Sequence, residues 1–204
     1  QALVVFAALV GMGVLFGSGA LRARMRVLLA KNFFSYRYDY RAEWLKLTEL
    51  LAASPGGDDE AIEIRSLKGL AGLVDSGGGA LWLVNDDGQY ACTARWAFHA
   101  PTPVIAVGEP MVAFLTSQQW IINLPEWRDQ RELYQGLPLP TALEQVPENW
   151  LIVPLLLHAQ LLGFAVLSQP IARAEINWEV RDALKTAARQ VASYLAVRRA
   201  VEAL

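Results

Sequence analysis

Two histidines and one cysteine are the residues of this sequence whose side chains could bind a metal or a cofactor. His99 follows a predicted strand that contains Trp96 and Phe98, whereas His158 lies in a tight turn between two apolar runs. Imidazole is a frequent ligand, so His99 is the candidate that could face a pocket, with an ordinary polar residue as the alternative. Cys92 lies inside a strand with no adjacent histidine, which favours a small buried residue over a cofactor attachment site.

Other groupings that could carry chemistry have simpler explanations. The carboxylates Asp58, Asp59, Glu60 and Glu63 suit the start of a helix better than a metal site. The glycines at 77–79 are not followed by Lys-Ser or Lys-Thr, so they indicate a turn and not a phosphate loop. No serine, cysteine or carboxylate set forms a catalytic constellation. We therefore expect no catalytic centre, metal or cofactor in this chain, while an unidentified small-molecule ligand remains open.

Aromatic residues could line an apolar pocket, because small-molecule sites are mostly apolar with a few placed polar groups. The alternative is that most of them fill the core, and core packing is favoured for Trp82. The pocket candidates are Trp96, Phe98, His99, Phe114, Trp120 and Trp127.

The elements that would position these residues follow from apolar periodicity, which predicts an α+β domain with a central antiparallel sheet flanked by helices. The predicted elements begin with helices at 38–53 and from 58–60 to about 74, followed by a hairpin with strands at 80–84 and 89–98. A strand at 104–107, a short helix at 109–115 and a loop-rich segment carrying two tryptophans come next. The chain then forms a second hairpin with strands at 150–157 and 161–168, and a long exit helix at 177–204.

The exit helix carries apolar residues on a heptad seam, which usually pairs with another helix. The basic residue Arg198 on this seam would weaken one packing register, as a two-state helix requires. We expect a parallel homodimer through this helix. The seam consists of Val180, Leu184, Ala187, Val191, Tyr194 and Val201.

The first 21 residues carry no charge, and the apolar run from Ala2 to Ala20 is long enough to cross a bilayer as a helix. Cations follow it, so the positive-inside rule puts the rest of the chain in the cytoplasm. We expect residues 1–21 to be a transmembrane helix that ends a longer membrane region. Residues 22–37 would form a basic and aromatic joint, in which residues 22–34 contact membrane lipid. The tyrosines from Tyr36 onward would continue into the entry helix and pack on it or on the exit helix and not on lipid. The joint and its continuation into the entry helix include Arg22, Arg24, Arg26, Lys31, Tyr36 and Tyr40.

Length and charge limit the alternatives. The 204 residues suit one soluble domain beside the membrane segment. The net charge of −2 argues against a dedicated nucleic-acid surface. A single cysteine is too few for a thiol-based reductase.

Three motifs resemble those of the GAF domains, which are small-molecule sensing modules. They are the Val-Pro-Leu strand at 153–155, the Gly-x-x-x-Leu strand at 163–167, and the Ala-x-x-x-Ala pattern at 188–192. The resemblance covers roughly residues 38–195 and implies a GAF-like domain at 38–176, closed by the exit helix at 177–204. The motif of cyclic-nucleotide GAF domains is absent.

Residues 31–45, KNFFSYRYDYRAEWL, resemble the membrane exit of the PEP-CTERM system sensor histidine kinases called PrsK. The resemblance implies the last membrane helix and the cytoplasmic GAF domain of a kinase in the bacterial inner membrane. Neither histidine lies in a phosphoacceptor context, and no ATP-binding glycine motif is present. We therefore expect no kinase activity from these residues themselves, and a response regulator would be reached through a kinase region.

Two functions remain open at this point. The first is a sensory domain that relays a signal through the exit helix to a kinase core. The second is a ligand-free structural or dimerisation module that transmits the motion of the membrane helix. A closed interior favours the second function, and a cavity beside His99 and Trp96 favours the first.

Overall fold

Five antiparallel strands form the centre of the protein in the computed structural model, which describes Leu45, Thr48, Glu49 and residues 61–170 and 176–202. The strand order is β2-β1-β5-β4-β3, so the two hairpins β1–β2 and β4–β5 lie side by side. The strands are β1 (Gly79–Val84), β2 (Tyr90–Trp96), β3 (Ile122–Asn123), β4 (Asn149–Leu157) and β5 (Gln160–Ser168).

The central strands are buried on both faces. β4 and β5 are nearly continuous apolar runs, and every residue from Asn149 to Leu156 is buried, as expected for strands with a layer on each side. The turn between them is tight, and His158 adopts a left-handed conformation with φ of 56°. Gly163 lets β5 lie close to β1, because a Cβ there would be 2.1 Å from the carbonyl oxygen of Trp82.

Two helices cover one face of the sheet. They are α1 (Ile62–Gly72) and α5 (Trp178–Glu202), and the carboxamide oxygen of Asn177 accepts a hydrogen bond from the backbone N–H of Val180 at the start of α5. Their apolar stripes pack with residues from the sheet into one buried cluster. Its helical members include Leu67, Leu70, Ala71, Leu184, Ala187, Ala188, Val191, Ala192 and Leu195.

The opposite face is covered by short helical segments. They are α2 (Pro110–Gln118), α3 (Leu124–Asp129), a 3₁₀ turn at Arg131–Tyr134, and α4 (Thr141–Glu144). Their apolar residues form a second buried cluster with the sheet. Trp82 lies in this cluster, fully buried and stacked on Phe164 with ring centroids 5.2 Å apart, so core packing is confirmed for Trp82.

The four strands of the two hairpins, the helix near 109–115 and the exit helix are confirmed. The strand expected at 104–107 is wrong, because only Ile105 forms an isolated bridge, to Tyr90. β3, α3, the 3₁₀ turn and α4 lie in the segment that the sequence predicted as loop-rich. Each has at most six residues, which is too short for a helical or alternating pattern to stand out.

The N-terminal predictions fall mostly outside the described residues. These are the transmembrane helix at 1–21, the joint at 22–37 and the placement of Tyr40. Leu45, Thr48 and Glu49 are helical, as the predicted entry helix requires. In the part of the chain that the structure describes, no helix combines the length and apolar character needed to cross a membrane.

The heptad seam of α5 faces the sheet of its own chain. Leu184, Ala187 and Val191 have no exposed surface, and Val180 and Tyr194 pack on the same cluster. Packing within one chain therefore explains this spacing without a second helix, and the three buried side chains have no surface to offer a partner. Val201 differs, since it is 62% exposed. The homodimer itself stays a prediction.

Candidate functional site

A cleft of about 670 Å³ lies at one end of the sheet, and we call it the sheet-end cleft. Three segments meet there: the residues that follow β2, the loop that precedes β4, and the end of β5. This volume lies within the range of small-molecule sites, roughly 300–1,000 Å³. The lining residues are Ala97, Phe98, His99, Ala100, Pro101, Gln145, Val146, Pro147, Glu148, Ser168 and Gln169.

The cleft has an apolar side and a polar rim. Phe98 is almost fully buried and meets Trp82 edge to face, with ring centroids 6.4 Å apart. His99 and Glu148 are exposed. An apolar surface beside a few polar groups is the general composition of ligand sites.

One wall of the cleft has a constrained backbone. Ala97 adopts a left-handed conformation with φ of 44°, which is unfavourable for a residue with a Cβ. Its carbonyl oxygen lies against Gly78, where a Cβ would come within 2.3 Å. The turn that carries Phe98 and His99 therefore depends on glycine at position 78.

The opposite wall of the cleft is tied to neighbouring elements by hydrogen bonds to its backbone carbonyl oxygens. The N–H of Gln169 donates to the carbonyl oxygen of Glu148 at 2.8 Å. The guanidinium group of Arg128, in α3, donates to the carbonyl oxygens of Glu144 at 2.8 Å and Val146 at 3.3 Å. The loop before β4 is thus attached both to β5 and to α3.

A second feature joins α3 to the exit helix at the β3 edge of the sheet, and we call Glu126, Tyr134 and Arg181 the β3-edge network. Arg181, in α5, forms an ion pair with the Glu126 carboxylate at 2.5 Å. The Tyr134 hydroxyl donates to the same oxygen at 2.6 Å and accepts from the N–H of Asn123 at 3.1 Å. Arg181 also donates to the carbonyl oxygen of Ile121 at 3.3 Å. The network therefore connects the two layers on opposite faces of the sheet.

Burial and hydrogen bonding shift the pKa values within the β3-edge network. Burial alone would raise the pKa of Glu126, but the hydrogen bonds from Tyr134 and Arg181 and the charge of Arg181 outweigh it and lower that pKa. Burial, followed by the hydrogen bond to Glu126, raises the pKa of Tyr134 to about 12. At neutral pH the network therefore contains a carboxylate, a neutral phenol and a guanidinium group.

Trp120 extends this contact along the exit helix. Its ring is 43% exposed, and it lies 5.2 Å from the Arg181 guanidinium carbon and 5.1 Å from the Lys185 ammonium nitrogen. These distances suit cation–π attraction. The neighbouring Gln119 accepts a hydrogen bond from Arg189 at 3.3 Å, so three successive turns of α5 contact the segment after α2.

The six pocket candidates lie in four different places. Phe98 and His99 line the sheet-end cleft. Phe114 and Trp127 are enclosed in the core, where the Trp127 indole donates to the carbonyl oxygen of Leu137 at 2.9 Å. Trp96 packs on the opposite cluster, under the helices, and Trp120 lies beside α5.

The residues that suggested cofactor chemistry are dispersed. Cys92 is half-buried in β2 and packs on the core cluster. His158 is exposed in its turn. Among the described residues, no three His, Cys, Asp or Glu side chains are grouped to hold a metal ion. Asp58, Asp59 and Glu60 lie outside those residues.

The sequence reasoning missed the β3-edge network. Glu126 and Tyr134 lie in the segment that was predicted as loop-rich, and their pairing spans eight residues across two short helical turns that the sequence did not predict. The signal that could have indicated it is the row of cations Arg181, Lys185 and Arg189, which recur at four-residue spacing on one side of the exit helix.

Comparison with known proteins supports the architecture. No protein-family model and no curated protein matches the chain. The GAF domain of a Coxiella burnetii phosphoenolpyruvate-protein phosphotransferase is similar, with 19% identity, a TM-score of 0.59, and coverage of 83% of this chain and 100% of that chain. The corresponding Acinetobacter domain has 15% identity and a TM-score of 0.57, over 81% of this chain and 96% of that chain.

A third similar structure comprises residues 122 to 287 of a methyl-accepting chemotaxis protein. It has 12% identity and a TM-score of 0.56, over 78% of this chain and 99% of that chain. Identities at this level describe the fold alone. The five-stranded antiparallel sheet with helices on both faces is therefore a GAF-like fold.

Proposed function

We propose that this chain is the sensory domain of a membrane-bound two-component histidine kinase of the PrsK type, and that it relays a signal through α5. Two observations support the domain type: the GAF-like fold, and its occurrence in a chemotaxis protein. The kinase context rests on the resemblance of residues 31–45 to the membrane exit of that kinase family. The proposed location is the cytoplasmic face of the bacterial inner membrane, with residues 22–34 against lipid.

The observation that carries the relay is the ion pair between Arg181 and Glu126. A signal can shift α5 only if it stabilises one arrangement of the helix more than another. Glu126 belongs to the layer opposite α5, so a change in the position of α3 alters the contacts of Arg181 directly. The Arg181 side chain is only 13% exposed. If it lost the contact with Glu126, its charge would be left unpaired in a partly desolvated position, which costs more than losing an exposed ion pair.

The second candidate function is a ligand-free module that transmits mechanical motion. It is favoured by the filled interior, where Trp82, Trp127 and Tyr134 are among the largest fully buried side chains. The sheet-end cleft favours sensing. Both functions use α5 as the output, so they differ in the input alone.

Amide hydrogen exchange tests the relay on the full 204-residue chain. Glu126→Gln should weaken the contact with Arg181 and increase exchange in the first half of α5, with a smaller effect near its end. The matched control is Glu132→Gln, an exposed glutamate in the 3₁₀ turn. If Glu126→Gln changed exchange in α3 but left α5 as in the control, the network would not be the relay.

Partners follow from the same proposal. We propose a parallel homodimer and a response regulator that is reached through a kinase region. The apolar residues Val197 and Val201, 64% and 62% exposed near the end of α5, offer surface for a second copy. No role in binding nucleic acid is proposed.

A further inference from the structure

The sheet-end cleft has a distinct charge character. Among the described residues that line it, none is a lysine or an arginine, and Glu148 is the one carboxylate. No ion pair joins Glu148 to another side chain within the part of the chain that the structure describes. A carboxylate at the rim of an apolar cleft attracts a cation and repels an anion.

We propose that the sheet-end cleft binds a small organic cation, with a flat apolar body between the turn at 97–101 and Val146 and a protonated amine at Glu148. Ala97, Ala100 and Pro101 provide an apolar surface beside the nearly buried Phe98. The amide side chains of Gln145 and Gln169, with His99, add hydrogen-bonding groups at the rim. A carboxylate or phosphate ligand would meet no lysine or arginine side chain among the described lining residues.

The position of the cleft connects this ligand to the exit helix, and this part of the inference rests on the proposed sensory function. Ser168 and Gln169 lie at the end of β5, the last strand before α5 in the chain. On the other wall, Arg128 holds the carbonyl oxygen of Val146, and α3 carries both Arg128 and Glu126. A ligand bound between these walls would therefore contact both segments that lead to α5, which are the end of β5 and the loop that Arg128 joins to α3.

A matched set of indoles tests the charge preference on the full 204-residue chain. Tryptamine, tryptophol and indole-3-propionate share the ring and differ in a cationic, neutral or anionic head. We expect tryptamine to shift backbone amide NMR signals at residues 97–100 and 145–149 and at 168–169. We expect it to bind about two- to fivefold more tightly than tryptophol, the range of a solvent-exposed ion pair, and indole-3-propionate to bind most weakly.

Two pairs of variants separate charge from shape. Glu148→Gln should remove the advantage of tryptamine over tryptophol, whereas Glu132→Gln should retain it. Val146→Trp should fill the cleft and abolish binding of all three indoles. Val107→Trp, at a position that is 62% exposed and outside the lining, should leave binding unchanged.

The outcomes distinguish binding of a cation at the cleft from the role of that binding as the sensory input to α5. Equal binding of the three indoles, shifts outside the cleft, or an unchanged preference in Glu148→Gln would overturn the proposed cation site. Binding with the expected preference, but without any change of hydrogen exchange in α5, would leave the site standing and overturn its role as the sensory input. A change of exchange in α5 that Val146→Trp abolishes would support both.

Discussion

At the scale of single residues, two glycines determine how closely the backbone segments approach each other. Gly163 brings β5 against the carbonyl oxygen of Trp82, and Gly78 accommodates the carbonyl oxygen of Ala97. A Cβ would lie 2.1 Å from a backbone carbonyl oxygen at Gly163 and 2.3 Å from one at Gly78, and backbone yields less readily than the end of a side chain. These positions therefore tolerate no larger residue without movement of a strand or turn.

Gly163→Ala should strongly destabilise the protein. The added methyl group would meet the Trp82 carbonyl oxygen at 2.1 Å and the Leu83 side chain at 2.7 Å, so the free energy of unfolding should fall by about 3 kcal/mol or more, at the upper end of overpacking effects. Urea unfolding measures this change. Gly77→Ala is the control, because a Cβ there has nothing within 4 Å. A similar loss in both variants would contradict the steric explanation.

At the scale of elements, the β3-edge network joins α5 to α3 through one carboxylate. Glu126→Gln should lower the free energy of unfolding at pH 7 by about 1–3 kcal/mol, since charge-assisted hydrogen bonds contribute in that range. The folded-state pKa of Glu126 is lowered, so its contribution is present above the unfolded value and is lost as the pH falls through the folded value. The stability difference between wild type and variant should therefore shrink below about pH 4.5. A difference that stays constant down to pH 3 would contradict this.

Tyr134 gives the opposite dependence on pH. Its pKa is raised to about 12 in the folded protein, so its contribution is present below the unfolded value near 10 and is lost as the pH rises through the folded value. Tyr134→Phe should be less stable by about 1 kcal/mol at pH 8 through the lost hydrogen bonds. The deficit relative to wild type should diminish between pH 10 and 12. Unfolding in urea at pH 8, 10 and 11.5 measures it, and a widening deficit would show that the phenol is not held neutral.

The elements also show which parts of the fold the sequence could predict. The strands at 150–157 and 161–168 were predictable because each is a continuous apolar run with a turn between them. α3 was not, because Pro125 and only six residues leave no repeating pattern. Of the six pocket candidates, Phe98 and His99 line the cleft. Glu126 and Arg181 could not be paired from the sequence, because they are separated by 55 residues and meet only through the tertiary fold.

At the scale of the whole molecule, burial decides which part of α5 is available to a second copy. Cysteines at Val197 or Val201 should cross-link between chains under mild oxidation, in a background where Cys92 is replaced by serine. A cysteine at Val191 should not, because that position has no exposed surface. Non-reducing electrophoresis and sedimentation measure the two forms. Monomeric chains at high concentration, with no cross-link at either exposed valine, would exclude the proposed dimer.

The heptad seam of α5 restricts the kinds of motion that this helix can undergo. Turning the helix about its own axis would move the seam residues Leu184 and Val191, and the buried Leu195 beside them, from the core into water. Exposing three such side chains costs roughly 5–9 kcal/mol, which is comparable to the whole stability of a typical domain, about 5–15 kcal/mol. Rotation of α5 about its axis is therefore too costly in free energy to occur within the folded domain. The movements by which α5 can still relay a signal are a small tilt of the helix, or a shift of the helix together with the sheet that it covers.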